Sequence, residues 1–584
     1  MPELTNAQIA AAFDELGDLY ELDGVVQYRV IAYRNAAKAV RDAAVSVGEL
    51  TRQGRATELP GIGKTLDEKL RALVDTGDIP AAQKLRAKYP SGLVAITHLP
   101  GFGAKRARRL YDELGIDSLD ALRAACERHE LRSLRGFGAK VEEKLLEVLE
   151  AGIDGTPQPR VLLSRALGVG EQIVGALRAH PAAERVELAG SLRRLADSVK
   201  DLDVIATATD PRALTQALTE LPLVESAGTA GENSARVVLH TGLKVDLKVV
   251  EPDQFGNVMQ HFTGSKAHNV QLRELMVRRG LHISEYGILD DATGETTRCA
   301  TEEEVYARLG LAWIPPELRE GRGELEAAAA GTLPELVTVA DIRGDLHCHT
   351  VASDGRATIE QMAAAALERG YEYLAITDHS ASHGFGNHVT PDELERQIER
   401  VREVNASLDG IELLIGTETN ILPDGSPDYD DDLLARLDWV IGSIHTSFGM
   451  REREMTDRMV AAIEHPWIDA IGHPTGRKIE TRAPYALDME RVIEAAARTG
   501  TMLEINAAPD RRDLNEVHAR AAAAAGVPIL IDSDAHSVRN FELLRYGVAT
   551  ARRAWLSREQ VANTRPWPEF AALRKRALSG RSRA

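Results

Sequence analysis

The chain has 584 residues, 44% of them apolar, so it is too long for one core and predicts about three to five domains. No apolar run approaches the roughly 20 residues of a membrane span, and the acidic, amphipathic N-terminus is unlike a signal peptide. Three cysteines in no paired spacing exclude a disulfide framework and predict a cytoplasmic protein.

The formal net charge of −19, taken alone, argues against a nucleic-acid partner. Charge acts locally, however, over a screening length of roughly 10 Å. Basic clusters occur at residues 105–109, 193–194 and 278–279. Acidic metal sites also lower the sum without repelling DNA once metal is bound, so the motifs outweigh the global charge.

A glycine motif recurs three times in the N-terminal region. LPGIGK begins at residue 59, LPGFGAK at residue 99 and LRGFGAK at residue 134, each between segments with helical periodicity. The motif predicts a Gly-x-Gly hairpin whose backbone N–H groups approach a DNA phosphate. The alternative is a set of ordinary helix corners with glycine C-caps, which three copies make less favourable. The candidate glycines are Gly61, Gly63, Gly101, Gly103, Gly136 and Gly138.

Strand-like runs follow a Gly- and Pro-rich boundary near residues 155–159. Asp201 and Asp203 alternate on one such run, so both should face the same side, and Asp246 on a second run can supply a third carboxylate. Such carboxylates suit two Mg²⁺ or Mn²⁺ ions that catalyse phosphoryl transfer. Gly190-Ser191, with Arg194, precedes them and suits a triphosphate. The alternative, alternating surface acids, explains neither the Gly-Ser turn nor the spacing.

The rhythm changes after residues 319–340, an acidic Ala- and Gly-rich stretch that predicts a linker, although its Ala run could form a short helix. Apolar strand candidates then alternate with helices, and each ends in polar residues, as in GDLHCHT, YLAITDH and ILIDSDAH. Repeated βα units predict a parallel barrel or a doubly wound sheet. In barrel enzymes, the carboxyl ends of the strands carry the chemistry.

These strand ends carry a candidate metal centre. Imidazole and carboxylate ligands suit zinc, manganese or iron, and a metal-bound water can attack phosphorus. Glu418 can bridge two ions, whereas Cys348 alternates with two histidines and should face away. His383, His388 and His465 are expected to be structural. The candidate ligands are His347, His349, Asp354, His379, Glu418, His445, His473, Asp534 and His536.

Together these motifs resemble a bacterial- or archaeal-type family X DNA polymerase, over residues 1–320, with a C-terminal PHP (polymerase and histidinol phosphatase) domain, over 341–575. The resemblance implies a multidomain α + α/β fold with a helix-hairpin-helix N-terminal region, a nucleotidyltransferase palm and thumb, and a distorted (β/α)7 barrel. The implied domains are a lyase-like DNA-binding domain (1–90), helix-hairpin-helix fingers (91–158), palm (159–250), nucleotide-binding thumb (251–318), linker (319–340) and PHP domain (341–575).

The resemblance also implies residue roles. Asn269 would contact the incoming base or sugar, and Arg273 would lie near the templating base. His261 stands where vertebrate relatives have Tyr, so ribose discrimination is open. Lys200 stands where they have Gly, which puts a backbone phosphate contact in doubt. The implied nucleotide-binding set is Gly190, Ser191, Arg194, His261, Phe262, Gly264, Ser265, Asn269 and Arg273.

Lys69 occupies the position at which relatives with lyase activity form a Schiff base with an abasic sugar. The alternative, an exposed helix lysine, stays open, because the sequence does not show the lowered pKa that a nucleophilic lysine needs.

The resemblance implies a repair polymerase that fills short gaps and a metal-dependent 3′–5′ exonuclease, with abasic endonuclease activity as an open addition. Its partners would be gapped or nicked DNA and dNTPs, with no membrane. The protein would be a nucleoid-associated cytoplasmic monomer holding three Mn²⁺ or Zn²⁺ ions in the PHP domain. The alternatives are a small-molecule phosphatase of histidinol-phosphate type and a DNA-end-binding scaffold with one silent active site.

Overall fold

This computed structural model describes residues 4–578 except 26, 44, 98, 100–102, 135–136, 151–159 and 385. The chain forms two compact units. The first comprises Met1–Val161, Arg165–Leu188 and Lys200–Pro252, and the second comprises Leu162–Ser164, Ala189–Val199 and Asp253–Ala584. The six predicted segments divide the chain more finely, and their bounds remain predictions.

The N-terminal part of the first unit is helical. Thr5 caps the first helix and Gln8 closes a capping box. The helices bury one apolar face each, and Phe13, Leu70 and Leu93 are fully buried in the shared core. Each such side chain stabilises the fold by roughly 1.5–3 kcal/mol. The helices are α1 Asn6–Leu22, α2 Gln27–Asp42, α3 Val47–Arg52, α4 Lys64–Thr76, α5 Pro80–Arg86, α6 Ser91–Thr97, α7 Ala104–Leu114, α8 Leu119–Glu127 and α9 Ala139–Glu150.

A five-stranded sheet completes the first unit, with strand order β2-β4-β7-β6-β5. Strands β4 and β7 are parallel, whereas β2–β4, β7–β6 and β6–β5 are antiparallel. Buried and accessible residues alternate at the start of β4 and along β7, so the sheet has one covered face there. The elements of this stretch are β1 Val161–Leu162, α10 Leu163–Arg178, β2 Ala183–Leu188, α11 Gly190–Arg193, β3 Ser198–Val199, β4 Asp201–Ala208, α12 Pro211–Thr219, β5 Val224–Ala230, β6 Ser234–Leu239 and β7 Lys244–Val249.

The second unit contains a small α/β subdomain with its own core, which includes Met276 and Tyr306. The predicted linker, 319–340, is folded onto this core. Arg319 and Glu324 are fully buried, and the Ala run forms a helix. The elements are α13 Phe255–Thr263, α14 Lys266–Val277, β8 Leu281–Ser284, β9 Gly287–Asp290, β10 Thr296–Thr297, α15 Glu302–Arg308 and α16 Glu324–Ala330.

The rest of the second unit is a parallel barrel whose strands pair in chain order from β11 to β17. A backbone bridge between Cys348 and Ala535 links the chain after β11 to the chain after β17 and nearly closes it. The predicted seven-stranded barrel is confirmed. Its elements are β11 Gly344–Asp345, α17 Ile359–Glu368, β12 Tyr373–Ile376, α18 Pro391–Asn405, β13 Glu412–Asn420, α19 Asp431–Leu434, β14 Trp439–Ser443, α20 Glu452–Glu464, β15 Ala470–Ile471, α21 Met489–Thr499, β16 Met502–Asn506, α22 Glu516–Ala524, β17 Ile529–Asp532, α23 Leu544–Arg553, α24 Trp567–Leu573 and α25 Lys575–Leu578.

Two apolar clusters stabilise the barrel. One packs the strands against the surrounding helices, and the other contains Leu346, Tyr373, Trp439 and Phe570. The ring of Phe570 on α24 stacks on Tyr373 with centroids 5.0 Å apart, so α24 packs on strand residues. Within the described part of the chain, we find no helix that combines the length and apolarity needed to cross a membrane.

Candidate active sites

The three predicted palm carboxylates lie on neighbouring strands. The β4–β7 register sets Asp203 directly beside Asp246, and Asp201 lies two residues earlier on β4. Leu202 and Val204 are buried, so Asp201 and Asp203 share the opposite, accessible face. Asp246 forms an ion pair with Arg236 on β6. The strand register therefore brings the predicted carboxylates to one face of the sheet.

The predicted nucleotide-binding turn lies in the second unit. Gly190, buried with φ of +63°, begins the short helix α11. Arg194 follows it and donates from Nη1 to the Thr263 carbonyl oxygen at 2.6 Å. Arg193, which the sequence reading did not assign, donates to Thr263 Oγ1 at 2.7 Å and pairs with Glu302 at 2.6 Å. The two arginines thus join this turn to the end of α13.

Helices α13 and α14 bring the remaining nucleotide-binding candidates together. Asn269 donates from Nδ2 to the His261 carbonyl oxygen at 2.8 Å, and Arg273 donates to His261 Nδ1 at 3.2 Å. Ser265 caps α14, and a Cβ at Gly264 would lie 3.4 Å from Arg194 Nη1. His261, Asn269 and Arg273 therefore form one connected group. Phe262 packs against the ring of His261 with centroids 5.4 Å apart.

The described glycine motifs present exposed helix N-termini. Gly63 precedes α4 and Gly103 precedes α7, and neither offers a capping side chain. A Cβ at Gly61, Gly63, Gly103 or Gly138 would meet no atom within 4 Å, so their backbones are open to a partner. Gly101 and Gly136 lie outside the described residues.

Lys69 lies on α4 with its Nζ 5.8 Å from the ring centre of Tyr33. Burial is the main cause that lowers the pKa of Lys69, and the charge of Arg29 lowers it further, against the opposing effect of Glu68. A lowered pKa is the property that a nucleophilic amine needs. Lys69 is thus half-buried rather than a fully exposed helix lysine.

All nine predicted barrel ligands converge at the carboxyl ends of the strands. Eight of them form three overlapping groups. Within each group, the ligand atoms lie within 4.8 Å of one another. His473 joins them through Glu418, because its Nε2 lies 3.1 Å from Glu418 Oε1. The groups are His349, Asp354, His379 and His536; His347, His349 and Asp534; and His379, Glu418 and His445.

The donor set of this centre fits divalent cations. Buried ligand atoms such as His347 Nε2 and His349 Nδ1 make no hydrogen bond. Such buried polar atoms are costly unless another partner satisfies them. Imidazole and carboxylate donors without thiolates suit manganese, iron or zinc. Cys348 faces the hydrophobic core and donates to the Ala375 carbonyl, as the alternation predicts.

The electrostatics of the centre keep its carboxylates ionised. Burial opposes ionisation of Glu418, but the surrounding histidines, led by His445 and His379, lower its pKa well below the ordinary value. Burial likewise opposes ionisation of Asp534, and His347 and His349 lower its pKa. Burial and the neighbouring His379 lower the pKa of His349 to about 4, so this imidazole is neutral and able to bind a metal at neutral pH.

Several residues that contact the candidate ligands were not predicted from the sequence. Glu504, fully buried on β16, accepts a hydrogen bond from His347 Nδ1 at 2.7 Å and from the His473 backbone N–H at 2.5 Å. Asn506 donates to Asp534 Oδ2 at 3.1 Å. The signal was present in LEINAA, where acid and amide interrupt an otherwise apolar strand. Such partners orient the ligands of a metal site.

A cavity of about 630 Å³ opens beside these ligands. Lys478, Arg482 and Arg511 line it together with Phe448. The Arg482 guanidinium lies 4.5 Å from the Phe448 ring centre, and Phe448 stacks on Tyr485. Cationic groups beside a metal centre suit a phosphate-bearing substrate. His383, predicted to be structural, stacks on His379 but belongs to none of the three groups.

Models of four known protein families match parts of the chain. The model described as "DNA polymerase beta thumb" matches residues 258–320, and the model described as "PHP domain" matches residues 345–508. "Helix-hairpin-helix domain" matches residues 4–79, and "SAM-like Helix-hairpin-helix tandem" matches residues 54–115 and 93–151.

Similar proteins include one that matches along nearly its whole length. The chain is 38% identical over 558 residues to "DNA polymerase/3'-5' exonuclease PolX" of Bacillus subtilis (strain 168), covering 95% of this chain and 97% of that protein. It is 33% identical over 204 residues to a "Probable phosphatase" of Caldanaerobacter subterraneus subsp. tengcongensis, covering 33% of this chain and 75% of that protein. A "Probable phosphatase" of Syntrophotalea carbinolica is 30% identical over 229 residues, covering 38% of this chain and 90% of that protein.

Proposed function

We infer the function from the family to which this chain belongs, the family X DNA polymerases with a C-terminal PHP domain: it is a DNA polymerase and a 3′–5′ exonuclease. Because the match to the Bacillus subtilis protein spans 95% of the chain, it favours this function over a small-molecule phosphatase or a scaffold. The observation that carries the proposal is that one chain holds both a paired-carboxylate sheet and a barrel centre with nine converging ligands.

We assign nucleotide addition to Asp201, Asp203 and Asp246. When bound there, Mg²⁺ or Mn²⁺ supplies charge stabilisation to the attacking and leaving oxygens. The three carboxylates share one face of the sheet and would hold the ions against the primer end. Gly190, Ser191 and Arg194 would bind the triphosphate of a dNTP, since a glycine turn offers backbone N–H groups and the arginine offers charge.

We assign His261, Asn269 and Arg273 to recognition of the nucleotide. Asn269 is fixed on both sides, because it accepts from Gln260 Nε2 at 2.9 Å and donates to the His261 carbonyl. A side chain held in this way presents a preorganised edge to a base or sugar. Phe262, Gly264 and Ser265 complete the wall of this nucleotide site.

We assign 3′ nucleotide removal to the barrel centre. Bound Mn²⁺ or Zn²⁺, three ions in the full set, would supply a hydroxide nucleophile by lowering the pKa of water. His347, His349, Glu418 and Asp534 would hold these ions, and Glu504 would fix the tautomer of His347 through its hydrogen bond to Nδ1. Lys478, Arg482 and Arg511 would bind the DNA backbone beside the scissile phosphate, and a water attack there would also permit incision of abasic DNA.

The direct experiment compares substrates. Metal-stripped protein receives Mg²⁺ or Mn²⁺ and is offered a one-nucleotide-gapped duplex, a mismatched 3′ end and histidinol phosphate. We expect gap filling with dNTPs, release of 3′ nucleotides and no comparable turnover of histidinol phosphate. Turnover of histidinol phosphate without action on DNA would contradict the proposal. Gel filtration with light scattering tests whether the protein is a monomer, as the sequence predicts.

We propose abasic lyase activity for Lys69 as a second candidate function. It rests on the lowered pKa of the amine, its position on α4 and the open hairpin glycines that precede it. Borohydride should trap the wild-type protein on an incised abasic site, whereas Lys69→Ala should form no adduct. Lys64→Ala is the matched control on the same helix and should still be trapped. An equal adduct with Lys69→Ala would remove this role.

A further inference from the structure

Within the second unit, the segment 189–199 begins with the nucleotide-binding turn and also contains Asp197, which packs on the barrel. Asp197 forms ion pairs with two barrel arginines. Arg512 Nη1 lies 3.0 Å from Asp197 Oδ1, and Arg477 Nη1 lies 2.9 Å from Asp197 Oδ2. Arg512 also donates from Nη2 to the Leu195 carbonyl oxygen at 3.1 Å. The segment is therefore tied to the barrel through a backbone and a side-chain contact.

Arg512, on the barrel side of this attachment, is buried, and two of the contacting residues have positive φ. The Arg512 side chain is 1% exposed and also donates to Thr550 Oγ1 at 2.8 Å. Leu195 has φ of +55° and Arg512 has φ of +45°, and neither is glycine. Such conformations persist where surrounding contacts over-determine them, and they concentrate at functional sites. The clamp, Asp197 with Arg477 and Arg512, is thus built into the barrel surface.

A second contact reaches Arg194 itself. Arg553 on α23 donates from Nη1 to the Arg194 carbonyl oxygen at 2.8 Å and also pairs with Glu320 at 2.8 Å. Glu320 in turn lies 3.1 Å from Arg194 Nε, and Arg553 pairs with Glu516 at 3.0 Å. The barrel therefore binds the backbone of Arg194 directly and reaches its side chain through Glu320, and we assign this arginine to the triphosphate.

The same barrel loop faces the metal centre. Arg511, next to Arg512, lies with its Nε 3.8 Å from the ligand Asp534. Arg477 donates to the Arg511 and Arg512 carbonyl oxygens, which fixes this loop. Two neighbouring arginines thus point to different places: one to the metal centre and one to the segment of the nucleotide-binding turn.

We propose that Asp197, Arg477 and Arg512 are positioning residues for nucleotide addition, which hold the Gly190–Arg193 turn and Arg194 in the geometry that binds the dNTP triphosphate. This inference rests on the proposed polymerase function. It makes the barrel a structural part of the nucleotide site in addition to its own nuclease role. None of the three residues touches the reacting atoms.

The test is Asp197→Asn, which keeps the side-chain shape and removes the charge. We expect the KM for dNTP to rise about tenfold, since small displacements of binding groups are costly. The kcat, the affinity for gapped DNA and the 3′–5′ nuclease rate should each stay within about twofold, because those sites do not use Asp197. Asp197→Glu keeps the negative charge, so its KM for dNTP should lie close to the wild-type value.

Arg553→Lys gives an independent variant, because it shortens the donor to the Arg194 carbonyl and should also raise the KM. Asp457→Asn is the matched control, since Asp457 forms a 2.9 Å ion pair with Arg491 between two barrel helices, and this pair includes no clamp residue. It should change neither activity. A wild-type KM in Asp197→Asn, or an equal fall of polymerase and nuclease rates, would overturn this inference alone. A wild-type protein that adds no nucleotide would overturn the proposed polymerase function as well.

Discussion

Glu504 offers the sharpest single test of the barrel centre, because it is fully buried and touches two ligand residues. Its Oε1 accepts from His347 Nδ1, and its Oε2 accepts from the His473 N–H and from Asn506 Nδ2 at 3.2 Å. In Glu504→Gln, the single amide oxygen must serve the fixed backbone N–H of His473. The amide NH₂ then faces His347 Nδ1.

This arrangement forces His347 into the tautomer that is protonated at Nε2. His347 Nε2 lies 3.4 Å from Glu418 and 3.5 Å from Asp534, so it is the atom that faces the ligand group. A protonated nitrogen cannot bind a metal, and loss of such an orienting partner typically weakens metal affinity or activity by about 10–100-fold. We expect a loss of that size in nuclease activity at limiting Mn²⁺, with partial recovery at high Mn²⁺.

The assay titrates metal-stripped protein with Mn²⁺ and follows release of 3′ nucleotides from single-stranded DNA, with gap filling measured in parallel. Asp469→Asn is the matched control. Asp469, which directly precedes β15, is also a buried barrel carboxylate, but it accepts a hydrogen bond from the Val440 backbone N–H. If Glu504→Gln shows the wild-type Mn²⁺ midpoint and rate, the assigned role of Glu504 is wrong.

Three further predictions concern the rest of the chain. His261→Tyr should change the ratio of ribonucleotide to deoxyribonucleotide incorporation, and identical ratios would count against a sugar contact. Gly103→Asp should weaken binding to gapped DNA about tenfold at low salt while leaving the fold intact, because its Cβ meets no atom and its charge repels phosphate; unchanged affinity in a filter-binding titration would refute this. Burial opposes ionisation of Glu302, but Arg319 and Arg193 lower its pKa to about 2. Ionised Glu302 therefore stabilises the folded state by about 3 kcal/mol, a contribution that is complete above about pH 4.5 and is lost as the pH falls towards 2. The difference in unfolding free energy between the wild type and Glu302→Gln, measured in urea, should therefore shrink between pH 7 and pH 3.

The sequence predicted the parts of both sites that follow from periodicity. Alternation placed Asp201 and Asp203 on one face, and in the structure the strand that carries Asp246 pairs with theirs. Polar residues after successive apolar strands predicted the barrel rim, because parallel strands end at the same edge. Their roles in catalysis remain predictions.

Other features depend on tertiary structure that periodicity does not encode. Glu504 lies inside a buried strand, where the sequence shows an acid among apolar residues but not its contact with His347. The stretch 319–340 has the composition of a linker, yet Arg319 and Glu324 are buried because Glu302 and His268 provide partners far along the chain. The contact of Asp197 with Arg512 joins residues that no sequence motif connects.

The most direct test of two separate active sites is a reciprocal loss of function. Asp203→Ala and His347→Ala are each assayed for gap filling and for release of 3′ nucleotides, with the same protein preparation in both assays. The two-site assignment predicts that Asp203→Ala abolishes gap filling and keeps nuclease activity, whereas His347→Ala does the reverse. Loss of both activities in both variants, or wild-type gap filling in Asp203→Ala, would contradict it.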